Sequence, residues 1–67
     1  MLVQQIGESI KNRRKELGIT QPHLAELAGV STNSLYKIER GQANPTLETL
    51  LQLAEVLGME FKLQVKQ

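Results

Sequence analysis

One short stretch of this 67-residue chain carries a set of polar side chains suited to binding another molecule. The set is Thr32, Asn33, Tyr36, Lys37 and Arg40. Projected as a helix at about 100° per residue, the set lies opposite or beside the apolar pair Leu35 and Ile38. Its hydroxyl, amide, ammonium and guanidinium groups are the donors and acceptors that bind DNA base edges and phosphates. Any surface helix needs polar residues, so these residues alone leave a solvated face equally open.

The residue types that build enzyme and metal sites are scarce in this chain. There is no cysteine and no aspartate, and the one histidine is His23. Disulfides, zinc fingers and thiol nucleophiles are thereby excluded. His23 has no neighbouring ligand or acid that would form a metal site or an acid–base pair. We expect no enzyme, no metal, no cofactor and no small-molecule ligand, and we expect His23 to be an exposed surface residue.

The composition is that of one small globular domain, with 40% hydrophobic and 22% charged residues. A chain this short buries only about 60% of its unfolded surface, so self-association is expected. No apolar run is long enough to span a bilayer, and no export signal follows Met1. We therefore expect no membrane association and a cytoplasmic, bacterial nucleoid-associated location. The net charge of +1 permits nucleic-acid binding without arguing for it.

Glycines mark the predicted ends of four helices. Each follows a stretch with helical apolar spacing, and they are Gly18, Gly29, Gly41 and Gly58. Glycine is favoured there because it adopts the left-handed conformation without strain. The predicted N-caps of the second to fourth helices are Thr20, Ser31 and either Asn44 or Thr46. The first helix presents Ile6, Ile10 and Leu17 on one face and ends near Leu17.

The stretch from Gln21 to Arg40 has the dimensions of a helix-turn-helix motif. Ala25 is small at the point where the second helix of the motif must approach the first. Gly29 makes the turn between them. The polar set described above then lies on the second helix of the motif, at about residues 31–40.

The carboxyl end changes to a period of two residues. Phe61, Leu63 and Val65 alternate with polar residues, which is the pattern of a half-buried β-strand. No other segment predicts a strand, so this one has to pair with another chain, most simply with its own copy about a two-fold axis. A floppy or helix-packed terminus is the alternative.

The order and spacing of many residues also resemble a known family. The central pattern reads Thr20-Gln21-x-x-Leu24-Ala25-x-x-Ala28-Gly29-Val30-Ser31-x-x-x-Leu35-x-x-Ile38-Glu39-x-Gly41. It is similar to the phage-repressor (Cro/repressor-like, XRE-type) helix-turn-helix family, and the resemblance covers residues 6 to about 58. It implies an all-α, compact four-helix, lambda-repressor-like domain whose third helix enters the major groove.

The resemblance also implies roles for individual residues. The residues that match base readers are Thr32, Asn33, Tyr36 and Lys37, and those that match phosphate contacts are Gln21, Arg40 and Asn44. We also expect Ser31, which starts this third helix, to bind DNA. Arg14 and Glu39 match positions that form a salt bridge between the first and third helices, and Ala25 and Gly29 have structural roles.

The chain departs from the family pattern after the fourth helix. Members typically end in a fifth helix, whereas a short strand at this place is similar to the HipB-like antitoxin branch, whose dimers close with a small intermolecular sheet. This similarity implies dimerisation through Phe61, Leu63 and Val65. It also implies a HipA-like toxin as a partner, although a repressor can share this tail without any toxin.

Together, these observations predict a sequence-specific DNA-binding transcriptional repressor that binds a pseudo-palindromic operator in double-stranded DNA as a homodimer. Residues 1–58 form the helix-turn-helix DNA-binding domain, and residues 59–67 form a dimerisation strand. The alternative is a protein-interaction module that uses the helix-turn-helix as a scaffold.

Overall fold

The computed structural model describes residues 2–66, which contain four α-helices. The helices are α1 (Leu2–Glu16), α2 (Gln21–Ala28), α3 (Thr32–Glu39) and α4 (Leu47–Leu57). Both α1 and α2 pack against α3 and α4. The prediction of an all-α, four-helix domain is therefore confirmed. No helix within residues 2–66 is long and apolar enough to cross a membrane.

Side-chain caps fix the starts of three helices. Thr20 Oγ1 accepts a hydrogen bond from the His23 N–H at 3.3 Å, and Ser31 Oγ accepts one from the Ser34 N–H at 3.0 Å. Thr46 caps α4, so of the two predicted caps it is Thr46 and not Asn44 that begins this helix. Each cap satisfies a backbone donor that has no partner within its helix.

The core lies where the four helices meet. Its fully buried side chains are Leu24, Leu35, Leu53 and Leu57. Ile10 contributes from α1, as its spacing predicts. Leu17 does not, and it is 43% exposed because α1 ends at Glu16 and Leu17 lies in the turn beyond it. The inner apolar stripe of α1 thus ends at Ile10, about two turns before the last residue that the sequence pattern indicates.

The backbones of α1 and α3 approach each other closely at Gly7. A Cβ atom at this position would overlap the carbonyl oxygen of Ile38 and would crowd that of Glu39. Only glycine fits here without movement of one backbone or the other. This contact sets how closely the carboxyl end of α3 can approach α1.

The predicted carboxyl-terminal strand is not supported by the structure. Residues 59–66 form neither strand nor helix, and residues 2–66 contain no strand to pair with them. Phe61 is 42% exposed, whereas Leu63 and Val65 are essentially fully exposed. A strand requires a partner for its backbone N–H and C=O groups, and the described part of a single copy offers none. Met1 and Gln67, at the outer ends of the two predicted segments, lie outside the described residues.

Candidate nucleic-acid interface

Helix α3 presents one polar face to solvent. Its buried residues are Leu35, Ile38 and Glu39. The exposed residues on the other side are Thr32, Asn33, Tyr36, Lys37 and Arg40. The structure thus places the polar set together on one exposed face of α3 and the residue that follows it. Ser31 is exposed at the amino end of this helix, where it serves as the N-cap.

The turn between α2 and α3 holds the polar face in place. Gly29 has φ +74°, in the left-handed region that ends α2. The Val30 N–H then donates to the carbonyl oxygen of Ala25 at 3.0 Å. Ala25 itself is buried, and its small side chain lies in the core beneath the turn. The exposed face of α3 therefore lies on a well-packed support.

Two residues of the polar face are joined to each other. Arg40 Nη1 donates a hydrogen bond to the Tyr36 hydroxyl at 3.1 Å, and the guanidinium carbon lies 5.3 Å from the centre of the Tyr36 ring. This distance is that of a cation–π contact. This pair was not predicted, although residues four apart on a helix are neighbours. Tyr36 and Arg40 therefore form one contacting pair on this face.

A buried carboxylate connects the first three helices. Arg14 Nε lies 2.7 Å from Glu39 Oε2, and Arg14 Nη2 lies 3.0 Å from Glu39 Oε1. The Glu39 side chain is 2% exposed and that of Arg14 is 11% exposed. Gln21, the first residue of α2, donates from Nε2 to Glu39 Oε1 at 3.0 Å. The hydrogen bond to Glu39 raises the pKa of Arg14, so the guanidinium stays charged in this site.

The contact between Gln21 and Glu39 was not predicted. No local spacing points to it, because the two residues lie 18 positions apart on different helices. Asn44, the remaining predicted phosphate contact, is exposed in the loop between α3 and α4 and not on the polar face itself. The structure thus links Gln21 to α3 through Glu39 and places Asn44 on the neighbouring loop.

Arg13 and Arg14, two of the three basic residues in the last turn of α1, have a structural role. Arg13 Nε donates to the carbonyl oxygen of Leu57 at 2.9 Å, next to the carboxyl end of α4. Arg14 Nη1 donates to the carbonyl oxygen of Ile19 at 2.9 Å. Both residues are partly buried. The basic groups on α3 and beside it, at Lys37 and Arg40, are instead exposed.

The sequence is similar to those of named regulators. A helix-turn-helix family matches residues 10–63. An uncharacterized HTH-type transcriptional regulator of Haemophilus influenzae is 51% identical over 45 residues, which cover 67% of this chain and 46% of that protein. The immunity repressor protein of Bacillus phage phi105 is 46% identical over 55 residues, which cover 82% of this chain and 38% of that protein. The chain thus spans less than half the length of either relative.

A shorter relative and two solved structures match over most of the chain. An uncharacterized HTH-type transcriptional regulator of Sinorhizobium fredii is 39% identical over 54 residues, covering 81% of this chain and 70% of that protein. The restriction-modification controller protein C.AhdI from Aeromonas hydrophila superposes with a TM-score of 0.82 at 33% identity, covering 87% and 88% of the two chains. The clp gene regulator ClgR from Corynebacterium glutamicum superposes with a TM-score of 0.84 at 30% identity, covering 88% of this chain and 63% of that chain. On the family match, the identities and the shared fold, this chain belongs to the Cro/repressor-like (XRE-type) helix-turn-helix family.

Proposed function

We propose that this chain is a sequence-specific DNA-binding transcriptional regulator, acting as a repressor, that inserts α3 into the major groove. The observation that carries the proposal is the exposed polar face of α3, which sits on a buried apolar support. Thr32 and Asn33 offer hydroxyl and amide groups in the first turn of this helix, where a recognition helix meets base edges, and Lys37 adds an ammonium group on the same exposed face in the last turn. Relatives named as transcriptional regulators and as a phage repressor support this assignment.

Phosphate contacts border the recognition helix in this proposal. Arg40 is the cation that follows α3, with its guanidinium held on Tyr36. Gln21 begins α2, where the helix dipole and a backbone N–H favour a phosphate oxygen. Asn44 reaches the backbone from the following loop. Such contacts set the register of the protein on the duplex, whereas the base readers set the sequence.

The proposed active form is a homodimer. Two copies of α3 about 34 Å apart would read half-sites about 10 bp apart in a pseudo-palindrome. Leu63 and Val65 are exposed apolar side chains, and they continue from Phe61, which lines an apolar groove with Leu2 and Ile6 of α1. Pairing two tails across the two-fold axis would supply the partner that the strand pattern lacks in one copy. Sedimentation of the wild type against a Leu63→Ser, Val65→Ser variant tests this, with a monomeric variant expected.

The antitoxin role and a HipA-like toxin partner rest on the alternating tail pattern alone. Copurification of the chain with a coexpressed toxin of this class tests them. A cytoplasmic location follows from action on DNA in this proposal.

Selection of random duplex DNA on the purified protein tests the central proposal. We expect a two-fold symmetric consensus, whose half-site spacing reports the distance between the two α3 helices. Titration of this duplex at two salt concentrations should show binding that weakens steeply with salt but stays far tighter than binding to a scrambled duplex. Equal affinity for both duplexes would contradict sequence-specific binding and would favour a protein-interaction module.

A further inference from the structure

We propose that Glu39, which is buried and does not face solvent, is a positioning residue for DNA binding because it orients the side chain of Gln21 for a phosphate. The inference rests on the proposed function, which assigns Gln21 to a phosphate contact. It adds a residue that acts through Gln21 and connects the amino end of α2 to the carboxyl end of α3.

The position of the Glu39 carboxylate is defined from two sides. Arg14 holds both oxygens, at 2.7 Å from Nε to Oε2 and at 3.0 Å from Nη2 to Oε1. Arg14 in turn donates from Nη1 to the carbonyl oxygen of Ile19, which lies two residues before Gln21. The acceptor that faces Gln21 is therefore held both by α1 and by the segment that leads into α2.

The chemistry of the amide makes this acceptor selective. A glutamine side chain has a donor end and an acceptor end of nearly the same shape, and a phosphate oxygen accepts hydrogen bonds only from donors. Without an acceptor behind it, Gln21 can turn either end toward DNA. The ionised carboxylate of Glu39 is an acceptor only, so it retains the NH2 group at 3.0 Å and repels the amide oxygen.

The retained NH2 group still has a hydrogen to donate. Nε2 carries two hydrogens, and Glu39 uses one of them. The backbone N–H of Gln21 is the first of α2 and has no acceptor within its own helix. Gln21 can therefore offer a side-chain and a backbone N–H to one phosphate. Arg14 offsets the negative charge of Glu39, so the carboxylate can sit behind this contact without a net repulsion of DNA.

A double-mutant cycle on the selected duplex tests the inference. The variants are Gln21→Ala, Glu39→Gln and the double variant, and Gln52→Ala on the exposed surface of α4 is the matched control. Glu39→Gln keeps the shape but leaves one acceptor oxygen for Arg14 and Gln21 to share. We expect each single variant to weaken binding by about 5-fold per half-site, the size of one lost hydrogen bond. The double variant should bind no more weakly than Gln21→Ala.

Two further readouts separate positioning from mere stability. Affinities are measured where thermal unfolding curves show every variant to be folded. The slope of affinity against salt should stay unchanged for Gln21→Ala, because this substitution changes no charge at the interface. If the fold-losses in affinity of Gln21→Ala and Glu39→Gln multiply in the double variant, the inference is overturned, since Glu39 would then act independently of Gln21.

A third variant keeps the test decisive if Glu39→Gln does not fold. Gln21→Asn keeps the amide but is too short to maintain the contact with Glu39, and it leaves the buried pair intact. We expect it to bind as weakly as Gln21→Ala, and wild-type affinity would overturn the inference. If Gln21→Ala binds like the wild type while the specific duplex is still selected, the inference fails and the proposed function stands. If no duplex is selected, both fail.

Discussion

Arg14 and Glu39 form a bidentate ion pair that joins the last turn of α1 to the last residue of α3, with Nε 2.7 Å from Oε2. Neither side chain has more than about a tenth of its surface in solvent, at 11% for Arg14 and 2% for Glu39. Breaking a buried pair by removing one partner leaves the other charge uncompensated. The pair therefore makes the docking of α3 depend on both residues together.

Replacing the carboxylate tests this dependence. We expect Glu39→Ala to lower the free energy of unfolding by about 3–5 kcal/mol, because it leaves the largely buried Arg14 guanidinium without its partner. Urea or thermal unfolding followed by circular dichroism measures the change. Glu26→Ala is the matched control, since Glu26 is exposed on α2 and its loss should change stability by less than about 0.5 kcal/mol. Equal midpoints for the two variants would argue against the pairing.

The ion pair is expected to be insensitive to pH near neutrality. The hydrogen bond to Glu39 raises the pKa of Arg14 against the lowering effect of burial. A group whose pKa is raised by folding contributes stability that is present below its unfolded pKa and is lost as pH rises through its folded pKa. The difference in unfolding free energy between the wild type and Arg14→Lys should thus be constant from about pH 6 to pH 9. A difference that changes across this range would contradict a permanently charged Arg14.

Adding one methyl group should have very different effects at two glycines. Gly7→Ala forces a Cβ atom onto the carbonyl oxygen of Ile38, and neither backbone can move without separating α1 from α3. We expect a loss of about 3 kcal/mol, at the upper end for overpacking. At Gly29 an added Cβ atom meets no atom within 4 Å, so Gly29→Ala has only the strain of the left-handed conformation. We expect it to lower the free energy of unfolding by about 1 kcal/mol. Denaturant midpoints measure both, and similar losses would contradict the close approach.

A change at Lys37 should alter which sequences are bound. If Lys37 reads a base edge, Lys37→Ala removes about 1–3 kcal/mol of discrimination at one half-site position. Selection of random duplexes with the variant should show a relaxed preference at that position and retained preferences elsewhere. Lys15→Ala, which removes the same charge from an exposed site on α1, is the control. If Lys37→Ala and Lys15→Ala both weaken binding equally for all duplexes, Lys37 contacts phosphate and does not read a base.

The Tyr36–Arg40 pair should contribute to DNA affinity as a unit. Tyr36→Phe keeps the ring beneath the guanidinium but removes the hydroxyl that accepts from Arg40 Nη1 at 3.1 Å. We expect a loss of about 1 kcal/mol in binding the selected duplex, and no further loss when it is combined with Arg40→Ala. Additive losses would show that the two residues act separately. Titrations with a fluorescent duplex give all four affinities.

Local features of the sequence predicted the helices well. Thr20 and Ser31 are the N-caps and Gly29 and Gly58 end their helices in the left-handed conformation, because capping depends only on residues within one turn. The polar set of α3 was also predicted, since helical periodicity alone separates it from Leu35 and Ile38. The predicted strand in the tail is not supported by the structure of a single copy. Its alternation indicates a strand, but strand formation depends on a partner that one copy lacks.

The sequence by itself determined where the helices lie, which face of α3 is polar and, through a resemblance, the pairing of Arg14 with Glu39. Only the tertiary structure decided that Gln21 joins this pair, that Arg13 binds the carbonyl oxygen of Leu57, and that Gly7 meets the backbone of α3. Periodicity shows which side of a helix is buried but carries no information about what lies across from it. These contacts depend on how the helices cross, and that is set by the packing of the whole core.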